Sequence, residues 1–148
     1  ILAPIRMNGM MNAATFTPYQ PTEGEDYMSD AQLAHFRTIL KNWREELITE
    51  AERTKTYIHE ETNTMPDIND RATQEEEFAL ALRTRDRERK LIRKIDKSLA
   101  DIETLDYGYC ETCGTEIGLR RLEARPTATQ CIDCKTLSEI KERQNHGQ

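Results

Sequence analysis

Between Ser29 and Leu105 the chain carries two apolar patterns that step by three and four, and they run in opposite senses. The first passes through Leu33, Phe36, Leu40, Trp43, Leu47, Glu50, Thr54, Tyr57 and Glu61, apolar at its start and polar after Leu47. The second passes through Phe78, Ala81, Arg85, Glu88, Ile92, Ile95, Leu99 and Ile102, and its apolar end is the late one. Alternating steps of three and four keep one stripe of a helix facing a partner helix. Two such stripes with opposite gradients match only when the helices run antiparallel, apolar half on apolar half. The pattern therefore predicts a mainly α chain built on a long antiparallel coiled-coil hairpin over 29–106. Ser29 serves as N-cap of the first helix, with Gln32 completing a capping box. That helix ends near Asn63, because the residue before Pro66 avoids helical geometry. The second helix runs from about Asp70 to Leu105, and 64–70 becomes the tip. At 1.5 Å per residue, each arm of ~34 residues reaches about 50 Å.

Composition agrees with narrow seams rather than a broad core. Of 148 residues, 36% are hydrophobic and 32% charged. A helix that hides only a stripe tolerates that balance. The formal net charge of -6 argues against coating nucleic acid by bulk electrostatics. No apolar run approaches the ~20 residues of a membrane span. The opening ILAPIRMNGMMNAATF lacks a charged region followed by a continuous apolar block, so it makes a poor export signal and the expected location is cytoplasmic. Residues 1–28, with Pro4, Pro18, Pro21, Gly9 and Gly24 and no period, are expected to form a flexible N-terminal arm.

Residues 107–148 hold a different signal. Cys110, Cys113, Cys131 and Cys134 are spaced C-x2-C-x17-C-x2-C. Each C-x-x-C is a knuckle whose two thiolates can face one tetrahedral ion, and the connection lets the second pair close the cage. Gly114 suits the tight turn after Cys113. Redox C-x-x-C motifs belong in thioredoxin-like settings, and two of them would have to share one small helical protein. The spacing predicts one structural Zn2+ with a closed four-thiolate shell, holding a small zinc-finger head that is followed by a C-terminal helix over Thr136–Arg143. His35, His59 and His146 supply no competing ligand spacing. His35 and His59 fall off the seam and are expected on solvated helix surface.

Two further features carry chemistry. Asp67 and Asp70 sit on the hairpin turn. Aspartate caps helices and opens turns, yet two carboxylates at the end of a long rod are also placed to reach into a partner. From Arg83 to Lys97, eight basic residues against three acidic ones give +5 on an acidic chain. Such a run is commonly a solvated helix face with i,i+4 pairs. Joined by Arg120, Arg121, Arg125 and Lys135 of the head, it would also suit a phosphate-rich small ligand.

Several stretches together resemble the DksA/TraR family of C4-type zinc-finger transcription factors. They are Pro66–Ala72, Gln74–Phe78, Arg85–Ile92, Tyr107–Gly114, Ile117–Pro126 and Cys131–Lys135. The resemblance covers about Tyr19 to Arg143. It implies a monomeric transcription regulator that binds RNA polymerase directly and inserts its coiled coil into the secondary channel. It also implies action with ppGpp in the stringent response, with repression of ribosomal RNA promoters and activation of some amino-acid biosynthesis promoters. By the same resemblance Asp67, Asp70 and Ala72 form the working tip. Leu91, Lys94, Arg125 and Lys135 take part in a ppGpp site shared with the polymerase rim, and Arg87 contacts that rim. Ile68-Asn69 differs from the family between the two aspartates.

Two other classes stand beside that reading. A sequence-specific DNA-binding zinc protein predicts a basic recognition helix and a basic net charge, whereas this chain is acidic and its basic run lies on a hairpin arm. A Gre-like transcript-cleavage factor would use Asp67 and Asp70 to share a metal ion, and their three-residue spacing permits it. The resemblance favours a regulator that is no enzyme and reads no DNA sequence.

Overall fold

The computed structural model describes residues 5–6, 15–63 and 71–147. Two short strands, β1 (Ile5–Arg6) and β2 (Thr15–Phe16), pair antiparallel, with Ile5 opposite Phe16. Among the described residues four helices follow: α1 (Asp30–Asn63), α2 (Arg71–Thr104), α3 (Leu119–Ala124) and α4 (Ile132–His146). Two compact units emerge. One comprises Ile1–Lys41 with Lys97–Gln148, the other Asn42–Asp96.

The start of α1 follows from its cap. The Gln32 backbone N–H donates to Ser29 Oγ at 3.3 Å, and the Gln32 side chain returns to accept from Met28 N at 2.8 Å. The reciprocal arm of the box thus reaches one residue further back than the usual N-cap amide. The helix ends at Asn63, where Met65-Pro66 forbids continuation. At the far end of α2, Leu105 adopts a left-handed φ of 64°. The Asp106 amide then bonds Asp101 O at 2.9 Å and the Leu105 amide bonds Ile102 O at 3.3 Å. This is a Schellman closure with leucine where glycine is the usual choice.

In the unit Asn42–Asp96 the order of cross-helix contacts shows the antiparallel sense. Arg44 Nε pairs with Asp96 Oδ1 at 2.6 Å, Thr54 Oγ1 donates to Glu88 Oε1 at 3.3 Å, and Gln74 Nε2 donates to Glu61 Oε2 at 2.8 Å. As numbers rise along α1 they fall along α2, as the mirrored seams predict. Trp43, Leu47 and Ile95 make the apolar end of this unit, at 1%, 9% and 0% exposed. Beyond them polar pairs enter the interface among the half-buried Ile92, Ala81 and Phe78.

Glu88 is the costliest member of that polar stretch. It is buried, and its Oε2 has no hydrogen-bond partner among the described residues. Burial pushes its carboxyl above the usual range, the Thr54 hydrogen bond opposes the shift, and the Glu50 charge adds to it. The folded state therefore binds more protons than the unfolded one. The penalty is full above the folded pKa and vanishes as pH falls below the unfolded value of about 4.3. Glu88→Leu is expected to stabilise this unit by about 1–2 kcal/mol at pH 7, the cost of an unsatisfied buried group. The gain should shrink in acid. Urea unfolding followed by the fluorescence of Trp43, the single tryptophan of the chain, reads it. A lower midpoint in the leucine variant would mean that the Thr54–Glu88 contact outweighs the desolvation.

The other unit holds the early part of α1, the end of α2 and the cysteine-bearing head. Phe36, Leu40, Ile102 and Leu122 are essentially inaccessible in it. The buried Tyr107 donates its hydroxyl to Pro126 O at 2.7 Å, and burial pushes that phenol well above its ordinary pKa. Composition suggested a loose arm before α1, but residues 19–28 are tied down. Tyr19 N donates to Glu123 Oε1 at 2.7 Å, and the Tyr27 hydroxyl donates to Gly108 O at 2.7 Å.

Candidate functional site

The first knuckle is a tight loop closed by backbone bonds. Tyr109 bridges to Glu116, the Cys110 amide bonds Thr115 O at 2.8 Å, and the Gly114 amide bonds Cys110 O at 2.9 Å. Gly114 has φ +77°, a conformation that a side chain disfavours, so the glycine after Cys113 is required by geometry. The second knuckle opens α4. Cys131 is the N-cap and its sulfur accepts from the Cys134 amide at 3.5 Å. A bond from Glu111 N to Thr129 O at 2.8 Å sews the two knuckles together.

These turns bring the four cysteine sulfurs within 4.8 Å of one another, with Cys113 Sγ and Cys131 Sγ 3.7 Å apart. Four thiolates at about 2.3 Å from one tetrahedral ion lie about 3.8 Å from each other. The residues fit a zinc ion. The electrostatics agree. Backbone amides, first that of Cys113 and then that of Cys131, hold the Cys110 thiol down to about 6. Cys134 is pushed up to about 12, first by its hydrogen bond with Cys131 and then by that with Cys113. Four sulfurs this close cannot all ionise by themselves, and a dication removes that repulsion. Once four thiolates bind, no open coordination position remains, so the centre is structural rather than catalytic.

Of the remaining predicted residues, Asp67 and Asp70 lie outside the described residues. Ala72 is exposed in the first turn of α2. Arg87, Leu91 and Lys94 step by four and three along α2 and so share one face, with Arg87 and Lys94 exposed and Leu91 half-buried. Arg125 is the exposed C-cap of α3. Lys135, in the first turn of α4, lies 3.9 Å from Glu139.

His35 departs from expectation. It is not a solvated surface group: its side chain is 18% exposed, its Nε2 lies 3.4 Å from Glu123 Oε1, and its ring meets Phe16, Tyr19 and Phe36. Burial lowers its pKa while the Glu123 charge pulls the other way. Helical period places His35 beside the seam, and what covers it comes from residues 16–19 and from α3, which the period does not reveal. His59 is exposed, as expected, and so is His146. Glu123 itself, only 7% exposed, went unmarked in the sequence because α3 is too short to show a period.

Comparison with known proteins places this geometry. The family model described as "DnaK suppressor protein DksA, N-terminal domain" matches residues 32–102, and that described as "Prokaryotic dksA/traR C4-type zinc finger" matches 106–139. A relative in Escherichia coli K12, named RNA polymerase-binding transcription factor DksA, is 62% identical over 130 residues, covering 88% of this chain and 86% of its own. One of the same name in Haemophilus influenzae is 54% identical over 138 residues, covering 93% and 95%. The structure of transcription factor DksA2 from Pseudomonas aeruginosa superposes with a TM-score of 0.76 at 40% identity, covering 84% of this chain and 94% of that one. A helical hairpin joined to a four-cysteine head, matched along nearly its whole length, makes this chain a member of the DksA family with a complete C4-type zinc finger.

Proposed function

We propose that this chain is a cytoplasmic, monomeric transcription regulator that binds RNA polymerase directly and acts with ppGpp in the stringent response. Its segment 64–70, with Asp67 and Asp70, enters the secondary channel together with the adjoining Ala72. Arg87 contacts the channel rim. Leu91 and Lys94 on α2, with Arg125 and Lys135 in the head, contact the alarmone at the polymerase surface. The observation that carries this reading is the 62% identity to a relative named for polymerase binding, spread across both hairpin and zinc head. The shared face of Arg87, Leu91 and Lys94 supports it, since two cations beside an apolar side chain suit a phosphorylated ligand. The closed metal shell supports a binding role over catalysis. Among the described residues no helix is long and apolar enough to cross a membrane.

Transcription from a ribosomal RNA promoter, with and without ppGpp, tests the proposal. The chain represses alone, and ppGpp deepens the repression. Asp70→Asn binds polymerase but loses repression, because the tip acts after docking. Normal repression by that variant would remove the tip assignment. Lys94→Ala, Arg125→Ala and Lys135→Ala each weaken the ppGpp increment more than the basal effect, since each removes a charge-assisted contact worth ~1.5–3 kcal/mol, or roughly ten-fold or more in affinity. Equal loss of both activities would point to misfolding instead.

A further inference from the structure

The segment before α1 lies outside both matched family models, which begin at residue 32 and residue 106, yet one of its side chains grips the zinc loop at its mouth. Residues 108–118 leave and return to the same point, carrying Cys110 and Cys113 between them. The mouth is closed by the Ile117 amide on Gly108 O at 2.8 Å. The Tyr27 hydroxyl donates to that same carbonyl at 2.7 Å and accepts from the Gly118 amide at 2.9 Å. One phenol thus spans both sides of the loop. Its ring stands edge-on to Tyr109, centroids 5.5 Å apart. Met28, at a left-handed φ of 52°, lays its side chain over Gly108, where an added Cβ would lie 2.9 Å from Met28 Cγ and Sδ.

Gly118 is also the N-cap of α3, and it has no side chain with which to cap. The orphan donors and the entry angle of a six-residue helix therefore depend on what holds Gly118. The other end of α3 is tied by Arg121 Nε to Gln130 O at 3.0 Å, next to Cys131. Its middle is held by buried Leu122 and by the contacts of Glu123 with Tyr19 and His35, its start by the Tyr27 phenol, and Arg120 and Arg125 project from it. An open groove of about 690 Å³ runs past Tyr27, Leu119, Arg120, Arg125 and Ile132.

We propose that Tyr27 is a positioning residue: its hydroxyl keeps the first zinc knuckle closed and fixes the start of α3, so that Arg125 is presented in the attitude its anionic partner requires. The part concerning Arg125 rests on the ppGpp reading above. The part concerning the knuckle does not.

The test uses the full chain loaded with one zinc, as Tyr27→Phe, Met28→Ala, Arg125→Ala and wild type. Phenylalanine keeps the ring against Tyr109 and removes both hydrogen bonds. Amide exchange at Ile117–Leu122 is expected to quicken about ten-fold in Tyr27→Phe, the worth of one to two such bonds, with no change at buried Leu40 or Ile95. Zinc transfer to a chromogenic chelator quickens similarly. The ppGpp midpoint in the transcription assay rises several-fold while repression at saturating ppGpp is retained. Met28→Ala leaves the hydroxyl in place and leaves Ile117–Leu122 exchange near wild type. Unchanged exchange and zinc transfer in Tyr27→Phe would overturn the proposal, as would equal quickening in Met28→Ala, which would assign the closure to packing. Uniform quickening over the whole chain in Tyr27→Phe would overturn it too, showing a global stability effect. A normal ppGpp midpoint in Tyr27→Phe beside a raised one in Arg125→Ala would overturn the positioning of Arg125. If Arg125→Ala leaves the midpoint unmoved while Tyr27→Phe quickens exchange and zinc transfer, the ppGpp reading fails and the closure role of Tyr27 stands.

Discussion

Removing the zinc ion, by a strong chelator or by Cys110→Ser, is expected to unfold the head while the Asn42–Asp96 hairpin unit keeps its helices. The core that the head supplies by itself is thin. Its buried apolar side chains are few, chiefly Tyr107, Ile117, Leu122 and Pro126. Its helix α3 has six residues, far short of the ~12–15 that an isolated helix needs. In zinc-finger peptides the metal supplies about 10–16 kcal/mol of folding free energy, as much as the whole stability of a typical small domain at ~5–15 kcal/mol. Cys110 is the sensitive position because it is the buried member of the four, and its carbonyl and amide also close the knuckle. Serine there leaves a hydroxyl that is a poor zinc ligand at neutral pH. The expected record is zinc content falling from one per chain toward zero, amide protection lost over Tyr107–Cys134, and far-UV helix signal largely retained. Protection persisting in the head without metal would show that packing alone suffices, and would demote the site from clasp to accessory.

The parts of this fold that were legible in the sequence are those governed by short-range rules. Leu33 through Leu47, with Ile95 and Ile102, announce themselves by their period, because a helix that buries a stripe must repeat it. Asn63 ends α1 where Met65-Pro66 dictates, and the cysteine spacing alone identifies the metal site. What stayed hidden depends on contacts made over long sequence distances. His35 looks solvated until residues 16–19 and Glu123, 88 residues away, close over it. The α3 helix is shorter than two turns, so no period exists to find. The period ends α2 near Leu105, as found, but it does not tell that Leu105 itself takes the left-handed position while Gly108 serves for close approach to Met28. Proline and glycine content makes residues 1–28 read as a loose arm, and composition carries no trace of the hydrogen bonds by which Tyr19 and Tyr27 tie residues 19–28 to the head, while residues 1–4 and 7–14 lie outside the described residues. The tip expectation, Asp67 and Asp70, lies outside the described residues and depends on the transcription test.

The second large effect is expected from Phe36→Ala. Phe36 is wholly buried on α1, with its ring 5.6 Å from that of Tyr107 and 5.1 Å from that of His35. Truncation removes a ring whose loss costs about 3–5 kcal/mol in a packed core, and aromatic pairs of this geometry add ~0.5–1.5 kcal/mol to that of simple burial. The site collapses poorly, because its neighbours are fixed by other bonds. Tyr107 is pinned through its hydroxyl to Pro126 O, and Glu123 beside His35 is held by the Tyr19 amide. A cavity that cannot close keeps its full cost. For a chain of this length, a fall in Tm of about 10 °C or more is expected, measured by far-UV circular dichroism with zinc in slight excess. Phe36→Leu fills much of the volume and should recover more than half of the loss. Zinc content should remain one per chain in both variants below their transitions, since neither the backbone bonds of the knuckles nor the hydrogen bonds of Tyr27 involve the Phe36 ring. If Phe36→Ala instead released zinc in the cold while leaving Tm near wild type, the ring would belong to the support of the metal site and not to a common core of α1 and the head.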